Sequence, residues 1–383
     1  MCMAAIPRFP TSSASRVPPP SMPGDRGPAP LETPLKDNDD TTLLAARVRE
    51  AYEQAAPVEI IGGGTRRALG RAPMGAPLSV AGHTGIVAYD PSEFVVTVRA
   101  GTPIAALEEI LAREGQVLTV DVPRFGASST IGGAVAVGLT GPGRPYTGAL
   151  RDAVLGARLV SGTGEVVRFG GQVLKNVAGF DVSRLMVGAY GTLGLLLDVS
   201  LRTARRPEAQ AVVRLDQDWP TARAALRRWE SALPLTGASY AGGVLHVRLA
   251  GLAARVAQAR AVVGGEVGDS GVFTDLRDLR GTFFERPGDL WRLMVPPESP
   301  WDPEDTVIDW AGAQRFWRVR GDATAVYELA ARLRGQAMRL FGADRSMGPW
   351  AAPPPAAMAL MTRVKAALDP RGILNRGRLY PDW

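Results

Sequence analysis

The sequence predicts an α+β protein of two folded units, with a tail before them and a short segment after them. Short apolar strands alternate with glycine-rich turns over residues 41–205. Over residues 206–345, short strands alternate with Ala-rich helices, which indicates a second and smaller α+β unit. Residues 1–40 are rich in Pro, Ser and Gly and are expected to be disordered. Residues 346–383 are expected to form a helix that ends at Asp369-Pro370 and an extended segment.

Three motifs identify elements of the first unit. "EFVVTVRAG" is a β-rich run that Gly101 closes. Thr102 and Pro103 follow as the expected N-cap and first residue of a helix, whose apolar positions repeat at helical spacing as far as Gly115. "VLGARLVSGTGEVVRF" predicts a hairpin, because two β-rich runs flank four turn-forming residues.

In the second unit, amphipathic helices are expected between strands such as "VLHVRLAG" and "LWRLMV". A helix within residues 219–233 would place Leu226, Trp229 and Leu233 on one face, and Asp322 would cap another. Three tryptophans are interpreted as core, although exposed aromatic residues here would mark a partner surface. These are Trp291, Trp310 and Trp317.

Composition excludes several classes of function. The net charge of +6 comes from arginines scattered among acids, without a basic stripe, so nucleic-acid binding is not predicted. With only Cys2, His83 and His246, the chain cannot form a disulfide within itself, an iron–sulfur cluster or a Cys/His zinc site, and we assign no metal site. No uncharged apolar run reaches the roughly 18 residues of a membrane span. The chain is expected to be cytoplasmic.

The stretch "IGGGTRRALGR", residues 61–71, has the composition of a phosphate cradle but fits neither common nucleotide motif. A P-loop needs Gly-Lys-Ser/Thr, and a dinucleotide fingerprint needs a third glycine where Arg67 stands. Backbone N–H groups beside Thr65 and Arg66 could still face an anion, and a plain glycine-rich turn is the alternative. Two further clusters, "SSTIGGAVAVG" and "GAYGTLG", favour an extended ligand over a single phosphate.

Six segments together carry a resemblance to a known family: "IIGGGTRRALG", "YDPSEFVVTVRAGTPIAALEEIL", "GASSTIGGAVAVGLTGP", "RDAVLGARLVSGTGEVVRFGG", "KNVAGFDVSRLMVGAYGTLG" and "LDPRGILNRGRLYPDW". In order and spacing, they resemble the vanillyl-alcohol-oxidase (PCMH) type of FAD-binding fold, and most closely the FAD-binding E subunits of bacterial glycolate oxidase. The resemblance implies a two-part PCMH-type FAD-binding domain in residues 41–205. It further implies an α+β cap domain in residues 206–345 and a tail, residues 346–383, that returns to the FAD domain.

The resemblance also implies which residues hold FAD. The first glycine loop would carry the pyrophosphate, the second cluster would follow the pyrophosphate and the flavin edge, and the third would lie near the adenosine half. The implied residues are Gly62, Gly63, Gly64, Thr65 and Arg66; Ser128, Ser129, Thr130, Ile131, Gly132 and Gly133; and Gly191, Thr192 and Gly194. Asn375 would lie near the isoalloxazine, next to Arg376, which stands where the family commonly has Pro. FAD is expected to be non-covalent, since Thr65 stands where several relatives have a tethering His.

One feature of related enzymes is missing. Sibling 2-hydroxy-acid dehydrogenases carry a His-rich cluster in the cap that binds metal and takes the substrate's proton. Here the cap offers only His246, so we assign no catalytic residue.

The resemblance then implies a FAD-binding subunit that works with a catalytic flavoprotein D subunit and an iron–sulfur F subunit of glycolate oxidase. That complex would oxidise glycolate to glyoxylate, with D-lactate as a second candidate substrate. It would pass electrons to the membrane quinone pool, so this chain would reach the inner membrane face only through its partners.

Two alternatives stay open at this point. The chain could be a stand-alone FAD-dependent 2-hydroxy-acid or alcohol oxidoreductase whose base is His246, Tyr190 or an unidentified carboxylate. It could also be a structural subunit without flavin, although the intact glycine loops speak against this. Turnover by the isolated chain would favour the first, and failure to hold flavin would favour the second.

Overall fold

The computed structural model describes residues 35–171, 181–300, 305–319, 322–381 and 383. Within the first unit, the helices are α1 (Thr41–Glu53), α2 (Ile104–Arg113), α3 (Ile131–Val137), α4 (Arg144–Thr147), α5 (Leu150–Ala153) and α6 (Val182–Leu185). Its strands are β1 (Val58–Ile61), β2 (Ala76–Ser79), β3 (Ile86–Asp90), β4 (Val95–Arg99), β5 (Gln116–Leu118), β6 (Val154–Val160), β7 (Val166–Gly170) and β8 (Leu195–Arg205). The mixture of helices and sheets confirms the expected α+β class.

Two sheets make up the first unit. Strands β1 and β2 pair in parallel, and the remaining strands form an antiparallel sheet in the order β3-β4-β8-β6-β7, with β5 also paired to β8. The hairpin of β6 and β7 turns at residues 161–165, as the sequence predicted. The helix α2 begins at Ile104, one residue later than expected, and the Thr102 hydroxyl is not its cap. That hydroxyl instead accepts the Gly85 N–H and ties β3 to the loop before α2.

The second unit is built on one large antiparallel sheet. Its helices are α7 (Trp219–Trp229), α8 (Ala253–Val263), α9 (Gly271–Asp278) and α10 (Ala323–Arg332). Its strands are β9 (Ala209–Asp216), β10 (Leu235–Ala241), β11 (Val244–Gly251), β12 (Glu266–Val267), β13 (Asp289–Met294), β14 (Thr306–Asp309), β15 (Gln314–Val319) and β16 (Gln336–Phe341). They lie in the order β12-β9-β11-β10-β14-β15-β13-β16. Asp322 caps α10 by accepting the Thr324 N–H at 2.9 Å, as predicted.

The cap sheet packs one face against the first unit. Leu290, Val307 and Phe316 on that face join a core cluster with Val137 and Tyr190 of the first unit. The opposite face is covered by helices; α10, for example, packs on Trp291. Burial of Trp291 and Trp310, at 1% and 6% exposed, confirms their interpretation as core. The two units therefore share a buried junction.

The C-terminal segment returns to the first unit after helix α11 (Pro355–Leu368). The helix ends at Asp369 as predicted, and Leu374 forms a β-bridge with Val58 at the start of β1. Lys365 is buried and donates hydrogen bonds to Asp369 Oδ2 at 2.6 Å and to the Thr192 carbonyl at 2.7 Å. This pair fixes the tail against the third glycine cluster.

Most of the expected disordered tail lies outside the described residues, as do Lys175 and Asn176 of the motif "KNVAGF". The described end of the tail is attached to the first unit, because Asn38 exchanges backbone hydrogen bonds with Thr84. The domain boundaries at residues 205 and 345 remain predictions, and both fall where the sheets change: β8 ends at Arg205 and β16 ends at Phe341.

We predict that Lys365→Met lowers the free energy of unfolding by about 3–5 kcal/mol, because it leaves the buried Asp369 carboxylate without its cation. Chemical denaturation at neutral pH measures the loss. The matched control is Arg113→Met, which breaks an exposed i,i+4 pair with Glu109 and should cost less than about 1 kcal/mol. Equal losses in the two variants would show that the buried pair does not hold the tail.

Candidate functional site

A long cleft lies between the glycine loop, helix α3 and the returning tail. It contains about 780 Å³ of empty space, counting its open mouth. Eleven of the predicted site residues line it: Gly62, Gly63, Gly64, Thr65, Arg66, Thr130, Gly132, Gly133, Gly191, Gly194 and Asn375. The three glycine clusters, which are spread over residues 62–194 in sequence, therefore meet around one cleft.

The glycine loop has no side chains for a physical reason. A Cβ atom on Gly63 would overlap the Ser128 carbonyl oxygen, so the first and second clusters approach each other backbone to backbone. Gly64 has φ +74°, a conformation that other residues rarely adopt, and no atom lies within 4 Å of the position its Cβ would take. Gly64 itself is exposed and lines the cleft.

Thr130 shapes the second cluster by capping α3. Its hydroxyl accepts the Gly133 N–H at 3.3 Å, which leaves Gly132 and Gly133 against the cleft. A Cβ on Gly132 would press on Ala100 at 2.6 Å, so this glycine lets α3 pack against the end of β4. The two glycines of this motif therefore let α3 pack closely on the first unit and leave the cleft wall without side chains at these positions.

Four predicted residues do not line the cleft. Ser128 donates its hydroxyl to the Gly63 carbonyl at 2.9 Å, and Ser129 is buried and accepts from Arg66 at 2.5 Å. Ile131 is buried in the core of the first unit, and Thr192 is fully buried with its hydroxyl donated to Ala189. Ser129, Ile131 and Thr192 support the wall from behind, whereas Ser128 is exposed and bonds to the glycine loop from outside the lining.

Asn375 lines the cleft, but its amide is already engaged. The side-chain oxygen accepts the Ile60 N–H and the side-chain nitrogen donates to the Tyr190 carbonyl, both at 2.6 Å. The amide therefore joins the tail to β1 and to the third glycine cluster. A contact between Asn375 and a ligand would be made in addition to these two hydrogen bonds.

Two buried arginines give the cleft a positive charge. Arg66 donates to the hydroxyl of Ser129 and to a backbone carbonyl, and Arg378 donates to the carbonyls of Arg71 and Arg66. Within the described residues, neither forms an ion pair with a carboxylate. Burial lowers the pKa of both guanidinium groups to about 10, so they remain charged at neutral pH. A buried cation without a counter-ion favours an anionic ligand.

Sequence reasoning missed several residues of the cleft. Val80, Ala100, Val137 and Leu196 supply an apolar wall, and Tyr190 closes one side. Their motifs, such as "VRAG" and "GLLLDV", look like ordinary core strands, so no local signal separates them from buried packing. Arg378 could have been suspected from "NRGRLYPDW", where a cation follows the predicted contact Asn375 closely.

Two of the candidate bases that the sequence left open, Tyr190 and His246, are poorly suited to accept a proton at the cleft. Burial raises the pKa of the Tyr190 phenol above its ordinary value, which disfavours the phenolate. His246 lies on β11, paired with Ser239 and Arg214 within the cap sheet, and burial lowers its pKa. His83 is fully buried and accepts the Asp40 N–H on Nδ1 at 3.0 Å. Over the described part of the chain, no group of three His, Cys, Asp or Glu side chains could hold a metal ion.

Comparison with protein families identifies the class. Residues 39–170 match the FAD binding domain family, and residues 351–379 match the C-terminal domain of FAD linked oxidases. The two matched segments supply the glycine loop, α3 and the returning tail that form the cleft. The chain is therefore a FAD-binding protein of the FAD-linked oxidoreductase class.

Comparison with individual proteins defines the family. The glycolate oxidase subunit GlcE of Escherichia coli is 38% identical over 91% of this chain and 99% of its own length. The glycolate oxidase subunit GlcD of Bacillus subtilis is 32% identical over 41% of this chain and 34% of its own length. The chain belongs to the family of the glycolate oxidase subunit GlcE.

A solved structure supports the fold over most of the chain. An alkyldihydroxyacetonephosphate synthase superposes with a TM-score of 0.62, covering 87% of this chain and 73% of its own, at 14% identity. The match includes the cap domain, which sequence motifs identified least well. It confirms the two-part FAD-binding fold with an added cap.

We propose that the cleft holds FAD, with the diphosphate on the glycine loop. The open space at Gly64, the Cβ-free approach of Gly62 and Gly63, and the unneutralised charges of Arg66 and Arg378 all suit a long ligand with an anionic centre. The apolar wall suits the flat rings at its ends.

We predict that Gly64→Asn weakens FAD binding at least tenfold, or about 1.4 kcal/mol. Asparagine tolerates a positive φ, and its side chain would occupy space that the ligand needs. Titration of the apo chain with FAD, followed by flavin fluorescence, measures the affinity.

Gly115→Asn is the matched control, because Gly115 also has a positive φ and no atom within 4 Å of its Cβ position, but it lies outside the cleft. Both apo variants should unfold at similar denaturant concentrations. Equal FAD affinities would place the diphosphate elsewhere.

Proposed function

We propose that this chain is the FAD-binding subunit of a complex that oxidises glycolate to glyoxylate and passes the electrons through an iron–sulfur subunit. FAD, held non-covalently, would supply the redox chemistry when bound. In this proposal, the complex also contains a catalytic flavoprotein subunit of the GlcD type. The likeness to both GlcE and GlcD, each named a subunit of glycolate oxidase, supports assembly with further subunits.

One observation supports this division of roles between subunits: the described lining of the cleft proposed for FAD contains no side chain suited to accept a proton. Oxidation of a 2-hydroxy acid requires a base within hydrogen-bond reach of the substrate. The described residues that line the cleft contain no histidine, and their one phenol, on Tyr190, has a raised pKa. Glu59, the carboxylate of the lining, is held by Arg67 through two hydrogen bonds at 2.7 and 3.0 Å.

The membrane would be reached only through the complex. Among the helices of the described residues, none is both long and apolar enough to cross a bilayer. Electron transfer to membrane quinone would therefore depend on a partner. We propose a location at the inner membrane face by way of that partner.

Dye reduction tests the proposal. The chain is purified alone and after co-expression with its GlcD-type and iron–sulfur partners, and glycolate-dependent dye reduction is measured for both. We expect bound flavin without turnover in the isolated chain and turnover in the complex. Acid precipitation should release the flavin into the supernatant, since the attachment is non-covalent.

A complex assembled with the Gly64→Asn chain shows whether this chain's own flavin takes part in electron transfer. Slower turnover than in the Gly115→Asn complex, with equal assembly, would support a relay role. Turnover of glycolate by the isolated wild-type chain would overturn the proposal and favour a stand-alone oxidoreductase.

A further inference from the structure

A second, smaller cavity lies at the junction between the cap sheet and the first unit. Its empty space, counting the opening to solvent, is about 300 Å³. The loops around Phe125 and Thr140 form one wall, and the cap residues Arg292, Asp309 and Gln314 form part of the other. By the same measure it is less than half the size of the cofactor cleft, so a second cofactor of that size would not fit.

Arg292 is the unusual residue of this cavity. It lies on β13, opposite Phe316, on the sheet face that packs against the first unit, and is only 6% exposed. Its Nε has no hydrogen-bond partner, and no ion pair joins its guanidinium to a carboxylate of the described residues. Burial lowers its pKa to about 10, so it stays charged. A buried cation without a carboxylate partner favours the binding of an anion.

The guanidinium is nevertheless held in place. It stacks over the Trp310 ring at 4.7 Å, and Arg144 of the first unit stacks over the same ring at 4.5 Å. Trp310 itself donates its Nε1–H to the Gly141 carbonyl at 3.0 Å. Arg292 is therefore positioned by an aromatic face, while its hydrogen-bond donors remain available to a ligand.

Gln314 supplies a complementary group. Its Nε2 donates to Asp309 Oδ2 at 2.9 Å, which fixes the amide and leaves its Oε1 buried without a donor. Gln314 lies two residues from Phe316, the residue opposite Arg292, so the two side chains are diagonal neighbours on one sheet face. Such neighbours are separated by about 7–8 Å between Cα atoms. A ligand between them would meet a cation at one end and an acceptor at the other.

We infer that this junction binds a small 2-hydroxy acid, with its carboxylate on Arg292 and its hydroxyl donated to Gln314. A carboxylate fits the planar fork of a guanidinium, and a hydroxyl supplies the donor that Gln314 Oε1 lacks. The choice of a hydroxy acid as ligand deepens the proposed function and rests on it. The need for an anion at Arg292 rests on the structure of the junction.

Asp309 links occupancy to pH. Its carboxyl is buried, accepts the Trp310 N–H at 2.7 Å, and has its pKa raised by burial to about 7. The charged and titratable groups that interact with it are Asp121, Tyr146, Arg248 and Arg292. Arg144 stacks on the adjacent Trp310 ring. Asp121 is paired with Arg248 at 2.7 Å. An ionised Asp309 repels a bound carboxylate, so affinity should fall as pH rises through 7.

Calorimetry on the FAD-loaded full-length chain tests the inference with glycolate as the probe. We expect glycolate to bind, and acetate and glycolamide to bind at least about tenfold more weakly, since the first lacks the hydroxyl and the second the charge. The dissociation constant for glycolate should rise between pH 6 and pH 8. Equal binding of glycolamide and glycolate, or no binding of glycolate at millimolar concentration, overturns the inference.

Arg292→Met removes the cation and should abolish glycolate binding. The same change should raise the melting temperature of the ligand-free chain, because a buried, unneutralised charge is replaced by an apolar side chain. The matched control is Arg339→Met on the neighbouring strand β16: Arg339 is also buried but is paired with Asp289 at 2.7 Å. This control should lower the melting temperature and keep glycolate affinity within about twofold.

If Arg292→Met binds glycolate within about twofold of the wild type, glycolate does not bind at Arg292 and the cavity holds only water. The experiments distinguish failure of this binding inference from failure of the proposed function. A complex that turns over glycolate while the isolated chain does not bind it refutes only this inference. Binding by the chain without turnover by the complex refutes only the proposed function.

Discussion

The structure of the cofactor cleft depends on the amide of Asn375. One side chain joins three distant segments: it accepts from β1, which leads into the glycine loop, donates to the turn at Tyr190, and belongs to the returning tail. Asn375 has a positive φ of 45°, which asparagine tolerates better than most residues. Lys365 and Asp369 reinforce the same connection from inside the tail. The cleft forms because β1, the turn at Tyr190 and the returning tail are held together.

Sequence reasoning located the walls of this cleft but not the roles of their residues. Gly62, Gly63 and Gly64 were recognisable because a missing Cβ has a direct geometric meaning. Arg66 was expected to face phosphate, and it also pins the loop to Ser129, since it is buried among neutral acceptors. Whether a residue lines a surface or supports it from behind depends on packing between segments more than sixty residues apart. A linear pattern does not contain that information.

The cap domain was the part least visible in sequence, and the reason is physical. Its strands carry polar residues at positions that face the first unit, including Arg292, Asp309 and Gln314. A period-two pattern assigns such positions to solvent, because buried charge is rare. Here the sheet face is covered by the first unit, and the stacking of Arg292 and Arg144 on Trp310 holds the cations in the interior. Composition and periodicity could not have revealed that contact.

The cap sheet shows which groups face the FAD domain in place of the histidines that related enzymes carry. The face directed at the FAD domain presents apolar side chains, a cation, an amide and a carboxyl, and His246 belongs to a strand on the far side of β10. A carboxyl with a pKa near 7 adjusts its charge when an anion arrives. This carboxyl accepts hydrogen bonds from Trp310 and Gln314 and lines the junction cavity, outside the lining of the cofactor cleft. The junction is therefore suited to binding an anion, and proton abstraction beside the cofactor cleft requires a group that the described lining residues do not supply.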